Sequence, residues 1–404
     1  MHAPAILHRC LEPLLVPIHR ARLTALFAAV AACVLGPGLT LTDLARRLPG
    51  SGALCHKLKR IDRLAGNAHL QREAGVVYGA LCRVLLAGLT EAVIVVDWSD
   101  LKADQSLHLL RASLPVGGRA LTLYEEVHPQ AKLNNRLVHI RFLRRLAQLL
   151  PPGLAPIIVA DAGFRVPFYR AVERHGWRWV GRVRGRDCVR PGKRWASCKS
   201  VFRRATSTPR VLGTGEWVRS NPLQALFVLV KQPPQGRRAK TAAGKRARSK
   251  KANKAARSAK EPWLLVASPT LAAHGAKRLV GLYRQRMQIE EAFRDMKSQH
   301  FGEGLERSRS RSAGRYTVLV LIASLAAFVL WLIGTAATER NLDQHLRPGS
   351  RKRSPYSRPF LARMLLTLED YRPLLDGLSD ALTNISQWAA DQHNRLFAEP
   401  ARAA

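Results

Sequence analysis

The chain has 404 residues, 47 % of them hydrophobic, enough for two or three domains with a sizeable core and too apolar for a disordered polyelectrolyte. Its 66 Lys and Arg stand against 28 Asp and Glu, a formal net charge of +38 that far exceeds what solubility requires. This excess excludes a basic partner and implies a polyanion; because the basic residues run along the whole chain, nucleic acid fits better than an anionic membrane.

Residues 1–85 read as helical. The apolar stretch at 23–36, ending in "VAAC" before its last residues, has the composition of a leader segment but begins after Glu12 and many polar residues, so an amphipathic or buried helix stopped by Gly36-Pro37-Gly38 is expected. Thr42 is placed to N-cap a short helix ending at Pro49-Gly50. The following "CHKLKRIDRLAGNAHLQ" spaces basic and apolar residues at helical intervals, which suits a helix-turn-helix-like contact with phosphates or a plain helical cap with a solvated basic face. Cys10, Cys33, Cys55, Cys82, Cys188 and Cys198 form no CxxC pair and no zinc-finger spacing, so they read as reduced cytoplasmic thiols. The alternative is a Cys188/Cys198/His175 metal site.

At 93–97 the pattern changes to "VIVVD", a β-branched run of the kind that forms a buried strand, with Asp97 at its end. Two further strands, "LHLLRASLPV" and "RALTLYEEV", flank Gly117-Gly118 as a hairpin turn. A helix over 132–149, stopped by Pro151-Pro152-Gly153, leads to "APIIVADAGF", a second buried strand that ends in Asp161. A helix over 166–175 and the strand "WRWVGRV" complete a mixed α/β pattern. Short strands then occupy 185–276, interrupted at 236–260 by a run of eleven Lys and Arg with no acid. That run is expected to be a disordered, phosphate-seeking loop or a solvated linker.

"YRQRMQIEEAFRDMK", residues 283–297, reads as one helix. Tyr283, Arg286, Glu290 and Lys297 are three, four and seven residues apart and share one stripe; Leu282, Ile289, Phe293 and Met296 form the neighbouring apolar stripe that packs on a sheet. Arg286 suits bidentate contact with a phosphate. Glu290 alone reads equally as a salt-bridge partner. With Asp97 and Asp161 at strand ends, three converging carboxylates would repel one another unless hard divalent cations neutralised them, and Mg²⁺ suits an all-oxygen set. Two such ions about 4 Å apart activate water or a hydroxyl for attack on a phosphodiester. Asp100 is a rival ligand, but strand alternation aims it at the opposite face.

The spacing Tyr283-x2-Arg286-x3-Glu290-x6-Lys297 resembles the Y-(2)-R-(3)-E-(6)-K signature of the bacterial insertion-sequence-four family of DDE transposases. "VIVVDWSD" and "IIVADAGF" resemble that family's first and second aspartate strands. "PWLLVAS", "FRDMKS" and the apolar helix beyond are also similar, so the resemblance covers most of 85–335. It implies an α/β fold: an RNase H-like core (86–184 and 277–335) interrupted by a β-rich insertion (185–276), with a helical DNA-binding region at 1–85 and a helical C-terminal region at 336–404. It further implies that Asp97, Asp161 and Glu290 hold two Mg²⁺ ions, with Mn²⁺ as a substitute, and that Tyr283, Arg286 and Lys297 grip the transposon end. Trp263 resembles the indole on which hairpin-forming relatives stack an extruded base, displaced by about one residue; its other reading is a core tryptophan.

The implied partners are the terminal inverted repeats and target DNA, bound by a homodimer in the synaptic complex, without a membrane, in the cytoplasm at the nucleoid. The implied reaction is metal-dependent cut-and-paste cleavage, through a hairpin, followed by strand transfer. Two rivals remain: a non-catalytic DNA-binding protein or transposition inhibitor, and a membrane protein anchored by 316–334. That stretch spans about 28 Å as a helix, just short of the roughly 30 Å hydrocarbon core, and its Ala and Ser content suits a helix enclosed by protein.

Overall fold

The computed structural model describes residues 3–394 apart from 37, 186, 234–248, 250–252, 254–259, 300–301, 347, 351–354, 369–386, 388–389 and 392–393. The basic run at 236–260 therefore lies almost wholly outside the described residues, as does most of the chain beyond 368. The chain divides into two compact units, one formed by Met1–Leu154 with Met287–Arg395 and the other centred on Ala155–Arg286. It is mixed α/β.

The first unit opens with helices α1 (Ala3–Leu11), α2 (Arg20–Val34), α3 (Leu41–Arg47), α4 (Leu54–Ala65) and α5 (Ala68–Leu85). The N-cap of α3 is Thr40 rather than Thr42: its Oγ1 accepts from the Asp43 backbone N–H at 3.0 Å, so the helix starts one position before the expected cap. Three antiparallel strands follow in the order β3-β2-β1, with β1 at Val93–Asp100, β2 at Leu107–Pro115 and β3 at Ala120–Pro129. The expected turn joins β2 to β3: Gly117 and Gly118 take φ of 80° and 93°, and the Val116 N–H donates to the Arg119 carbonyl at 2.7 Å. Strand β1 continues three residues past Asp97, which therefore lies inside the strand and not at its end. Helix α6 (Arg136–Leu149) starts four residues later than expected, because Gln130–Lys132 form a 3₁₀ turn, Asn134 takes φ 57° and Asn135 is the cap.

The second unit is built on a seven-stranded run, β4-β5-β10-β9-β8-β6-β7. Strands β4 (Ile157–Ala160) and β5 (Arg178–Val183) are parallel and joined through helix α7 (Val166–Arg174). The remaining strands are β6 (Cys188–Arg190), β7 (Ala196–Ser197), β8 (Arg210–Trp217), β9 (Leu223–Val230) and β10 (Trp263–Ala267), with the short helix α8 at Cys198–Phe202. Strand β10 pairs antiparallel with both β5 and β9, so the strands of 185–276 extend the β4–β5 sheet and do not form a separate one.

The expected single helix over 283–297 is two helices, α9 (Gly275–Arg284) and α10 (Met287–Lys297). Between them the Gln285 and Arg286 N–H groups donate to the Leu282 and Tyr283 carbonyls, three residues back, at 3.1 and 3.2 Å. This 3₁₀ tightening breaks the helical register where the chain passes from one unit to the other, so Tyr283 and Arg286 do not share an unbroken stripe with Glu290 and Lys297.

Helix α11 (Ala313–Glu339) contains the apolar stretch. It is the one helix among the described residues long and apolar enough to cross a membrane, and 89 % of its most apolar window is buried. It packs on β3, α2 and α5 and on the C-terminal helix α13 (Arg358–Thr367), which follows the short α12 (Asp343–Leu346). Its apolar surface is thus covered by protein.

Candidate functional site

In the first unit, α10 packs on β1, β2 and β3 through Ile289, Phe293 and Met296, the apolar stripe expected from the sequence. Both ends of the helix are fastened. Near its start, Gln288 Oε1 accepts from the Val116 and Gly118 N–H groups, both at 3.0 Å. At its end, Lys297 Nζ donates to Ser99 Oγ at 3.1 Å and to the Asp100 carbonyl at 3.4 Å. Because the 116–118 turn lies beside the start of β1 and Ser99 beside its end, α10 runs in the same direction as β1.

Seven helical residues back from Lys297 cover about 10 Å, and three strand residues back from Ser99 cover about the same. Glu290 is therefore about level with Val96 and Asp97. Asp97 is 8 % exposed, and its Oδ1 accepts from the Trp98 N–H at 2.8 Å. Asp97 is paired across β1 and β2 with Arg111, whose guanidinium lies 5.0 Å from the Phe293 ring, so the Asp97 face of the strand is the face that α10 covers. Asp100, by contrast, is engaged by His108 Nδ1 at 2.9 Å and Gln105 Nε2 at 3.2 Å.

In the second unit, Asp161 follows β4 directly, and its Oδ1 accepts from the Gly163 N–H at 2.7 Å. A Cβ at Gly163 would stand 2.9 Å from that oxygen, too close for an ordinary contact. If Asp161 has the metal-binding role that the resemblance implies, Gly163→Ala should swing its carboxylate and lower DNA cleavage by about tenfold or more, with thermal stability within about 1 kcal/mol of wild type because only the end of a side chain must move. A melting curve beside a cleavage time course checks this; unchanged cleavage would show that the carboxylate position is not critical.

Asp161 has Tyr169 as an electrostatic neighbour. Burial, then the charges of Asp161 and Tyr283, push the Tyr169 hydroxyl well above its usual range. Tyr283 is 2 % exposed and stands edge-on to Trp263 with ring centres 5.0 Å apart. The Arg182 guanidinium is 5.8 Å from the Trp263 ring and that of Arg286 5.8 Å from the Tyr283 ring. Trp263 is half-buried at the start of β10. Tyr283, Arg286 and Trp263 thus meet in one aromatic and cationic cluster, to which Arg182, not singled out in the sequence, belongs.

Among the described residues no group of three or more His, Cys, Asp or Glu side chains is gathered to hold a metal, which also leaves Cys188, Cys198 and His175 without a site. In donor chemistry the carboxylates fit a hard divalent cation: Asp97 and Glu290 offer oxygens at about one level on β1 and α10 of the first unit, and Asp161, described by itself in the second unit, offers the same kind of donor.

A second feature was missed in the sequence. Arg307, Arg309 and Arg311 are exposed and alternate with buried Ser308 and Ser310; Arg307 ends a 3₁₀ turn, and the segment lines a groove beside α3 and α4 together with Thr40, Arg46 and Lys59. Two acids temper it: Arg307 stands 3.9 Å from Asp43, and Arg315 is paired with Asp62 at 2.5 Å. The period-two alternation of Arg and Ser was the available signal.

A family model described as "Transposase DDE domain" matches residues 88–328. Among solved structures, the cryo-EM structure of a piggyBac transposase synaptic complex with hairpin DNA is similar at 12 % identity and a TM-score of 0.42, covering 96 % of this chain and 78 % of that one. No curated protein matches.

Proposed function

Because this chain belongs to the transposase DDE-domain family, we propose that it is the transposase of a bacterial insertion sequence of the insertion-sequence-four type. It cleaves transposon ends and joins them to target DNA. What supports this reading is the packing of α10 on β1 with Lys297 fastened to Ser99, which by helix and strand rise puts Glu290 about level with Asp97. The Y-R-E-K spacing supports the finer family placement, and an RNase H-like core goes with it.

Asp97, Asp161 and Glu290 are the residues that would hold two Mg²⁺ ions. Magnesium, when bound, supplies Lewis-acid activation of a water or a DNA 3′-hydroxyl for in-line attack on a phosphodiester. Arg286 and Lys297 hold phosphates beside that position, Arg286 with a planar fork and Lys297 as a point charge. Tyr283 buttresses Trp263, whose half-exposed ring receives an unstacked base if cleavage proceeds through a hairpin. Pairing two ends requires at least a dimer in the working complex. Mg²⁺-dependent nicking of a plasmid that carries the element's ends tests the reading. DNA binding without nicking under any divalent ion would instead favour a non-catalytic binding protein.

The Arg307–Arg311 groove is read as a contact for the DNA backbone beside α3 and α4. Arg307→Ala/Arg309→Ala/Arg311→Ala should weaken end binding and reduce the slope of log affinity against log salt by about 2 to 3, since each duplex phosphate neutralised contributes about 0.9. An unchanged slope in a filter-binding or anisotropy titration would remove the groove from the interface.

A further inference from the structure

Strands β1, β2 and β3 carry one charged rank. Asp97 is paired with Arg111, and Arg111 with Glu125, so the three side chains stand in line on the face that α10 covers. Arg111 and Glu125 are 3 % and 4 % exposed, and neither belongs to the expected acid set. Arg111 Nε donates to Glu125 Oε2 at 2.7 Å, while Glu125 Oε1 accepts from the Tyr78 hydroxyl at 2.7 Å and from Ser324 Oγ at 2.8 Å. The other arm of Arg111 reaches the Met296 sulfur at 3.1 Å, and the guanidinium plane faces Phe293. One buried ion pair thus links β1's neighbours to α5, α10 and α11.

Stability alone is a weak reason for such a pair, because well-packed apolar residues of similar volume often serve as well or better in a core. What an apolar pair lacks is direction. The ion pair fixes the guanidinium, and the guanidinium in turn fixes the turn of α10 that carries Phe293 and Met296. Glu290 lies three residues before Phe293, on the adjacent turn face.

We infer that Arg111 and Glu125 form a positioning pair: they set the axial height and rotation of α10 against β1, so that Glu290 meets the rank of Asp97. This inference rests on the transposase reading, in which those two carboxylates share divalent ions. Both members are buried, so the pair acts through α10 and not by direct contact with DNA.

The test uses the full-length chain with end-containing DNA and compares Arg111→Met/Glu125→Leu with wild type by thermal melting, by DNA anisotropy, by Mn²⁺ titration followed by electron paramagnetic resonance, and by single-turnover nicking. The double variant should melt cooperatively near wild type and bind end DNA within about twofold, while Mn²⁺ affinity and nicking rate fall about 10–100-fold, the range found for residues that orient metal ligands. Wild-type Mn²⁺ affinity and nicking in the folded variant would overturn the inference. Should that variant fail to fold, Met296→Leu keeps the ion pair and nearly conserves the volume of the apolar stripe while removing the sulfur contact through which Arg111 holds α10; a fall in Mn²⁺ affinity and nicking is expected, and wild-type values would again overturn the inference. Asp97→Ala run alongside separates the two levels. If it abolishes nicking while the positioning variants nick normally, only the positioning role is lost; if it nicks normally, the transposase reading itself is lost.

Discussion

Asp97→Ala and Glu290→Gln should each reduce Mg²⁺-dependent nicking of transposon-end DNA by at least about a thousand-fold, the scale seen when one member of a set that acts together is removed. Asp97 is buried to 8 % exposure and Glu290 is half-buried on α10, the helix that Lys297 fastens to Ser99. On the proposed reading, losing either carboxylate removes oxygen ligands of the metal without changing the basic surface. With a net charge of +38, binding to duplex DNA should stay within a few-fold of wild type at a fixed salt concentration. Gel-shift and nicking measurements on the same preparation separate the two effects. Nicking at wild-type rate in either variant would exclude these acids from the chemistry.

Gly302→Ala should destabilise the first unit by about 3 kcal/mol or more and abolish nicking together with stability. After α10 the chain curls back on its own last turn. The Glu303 N–H donates to the Asp295 carbonyl at 2.8 Å, and a Cβ on Gly302 would overlap the Asp295 backbone. Backbone cannot swing aside as a side-chain tip does. Arg119 holds Asp295 in place from β3's leading edge, at 2.5 and 3.3 Å, so the turn cannot yield without disturbing the helix that carries Glu290 and Lys297. Gly281→Ala is the matched control. It lies inside α9 with nothing within 4 Å of the added carbon, so it should be neutral or stabilise by about 0.5–1 kcal/mol. Urea denaturation of the three proteins decides the matter; equal midpoints for wild type and Gly302→Ala would contradict the tight turn.

Much of the architecture was legible because its causes are local. Apolar β-branched runs become β1 and β4, Gly117-Gly118 supplies the positive φ of a hairpin, and the long apolar helix is buried inside a protein unit. The spacing of the four residues Tyr283, Arg286, Glu290 and Lys297 is also a property of the chain alone, and it led to the DDE-transposase family whose model matches. The helix break at Gln285-Arg286 was not legible. No proline or glycine marks it, and a two-residue 3₁₀ turn leaves the local hydrophobic pattern intact.

The sequence by itself therefore determined the basic character, the element types and the order of the three acids, since composition and periodicity follow from neighbouring residues. Only the tertiary structure decided that Arg111 stands between Asp97 and Glu125, that Tyr283 backs Trp263, and that alternate arginines at 307–311 line a groove beside α3 and α4. Strand register and helix docking join residues tens to hundreds of positions apart. Their energies come from side chains meeting in space, and no local period records which ones meet.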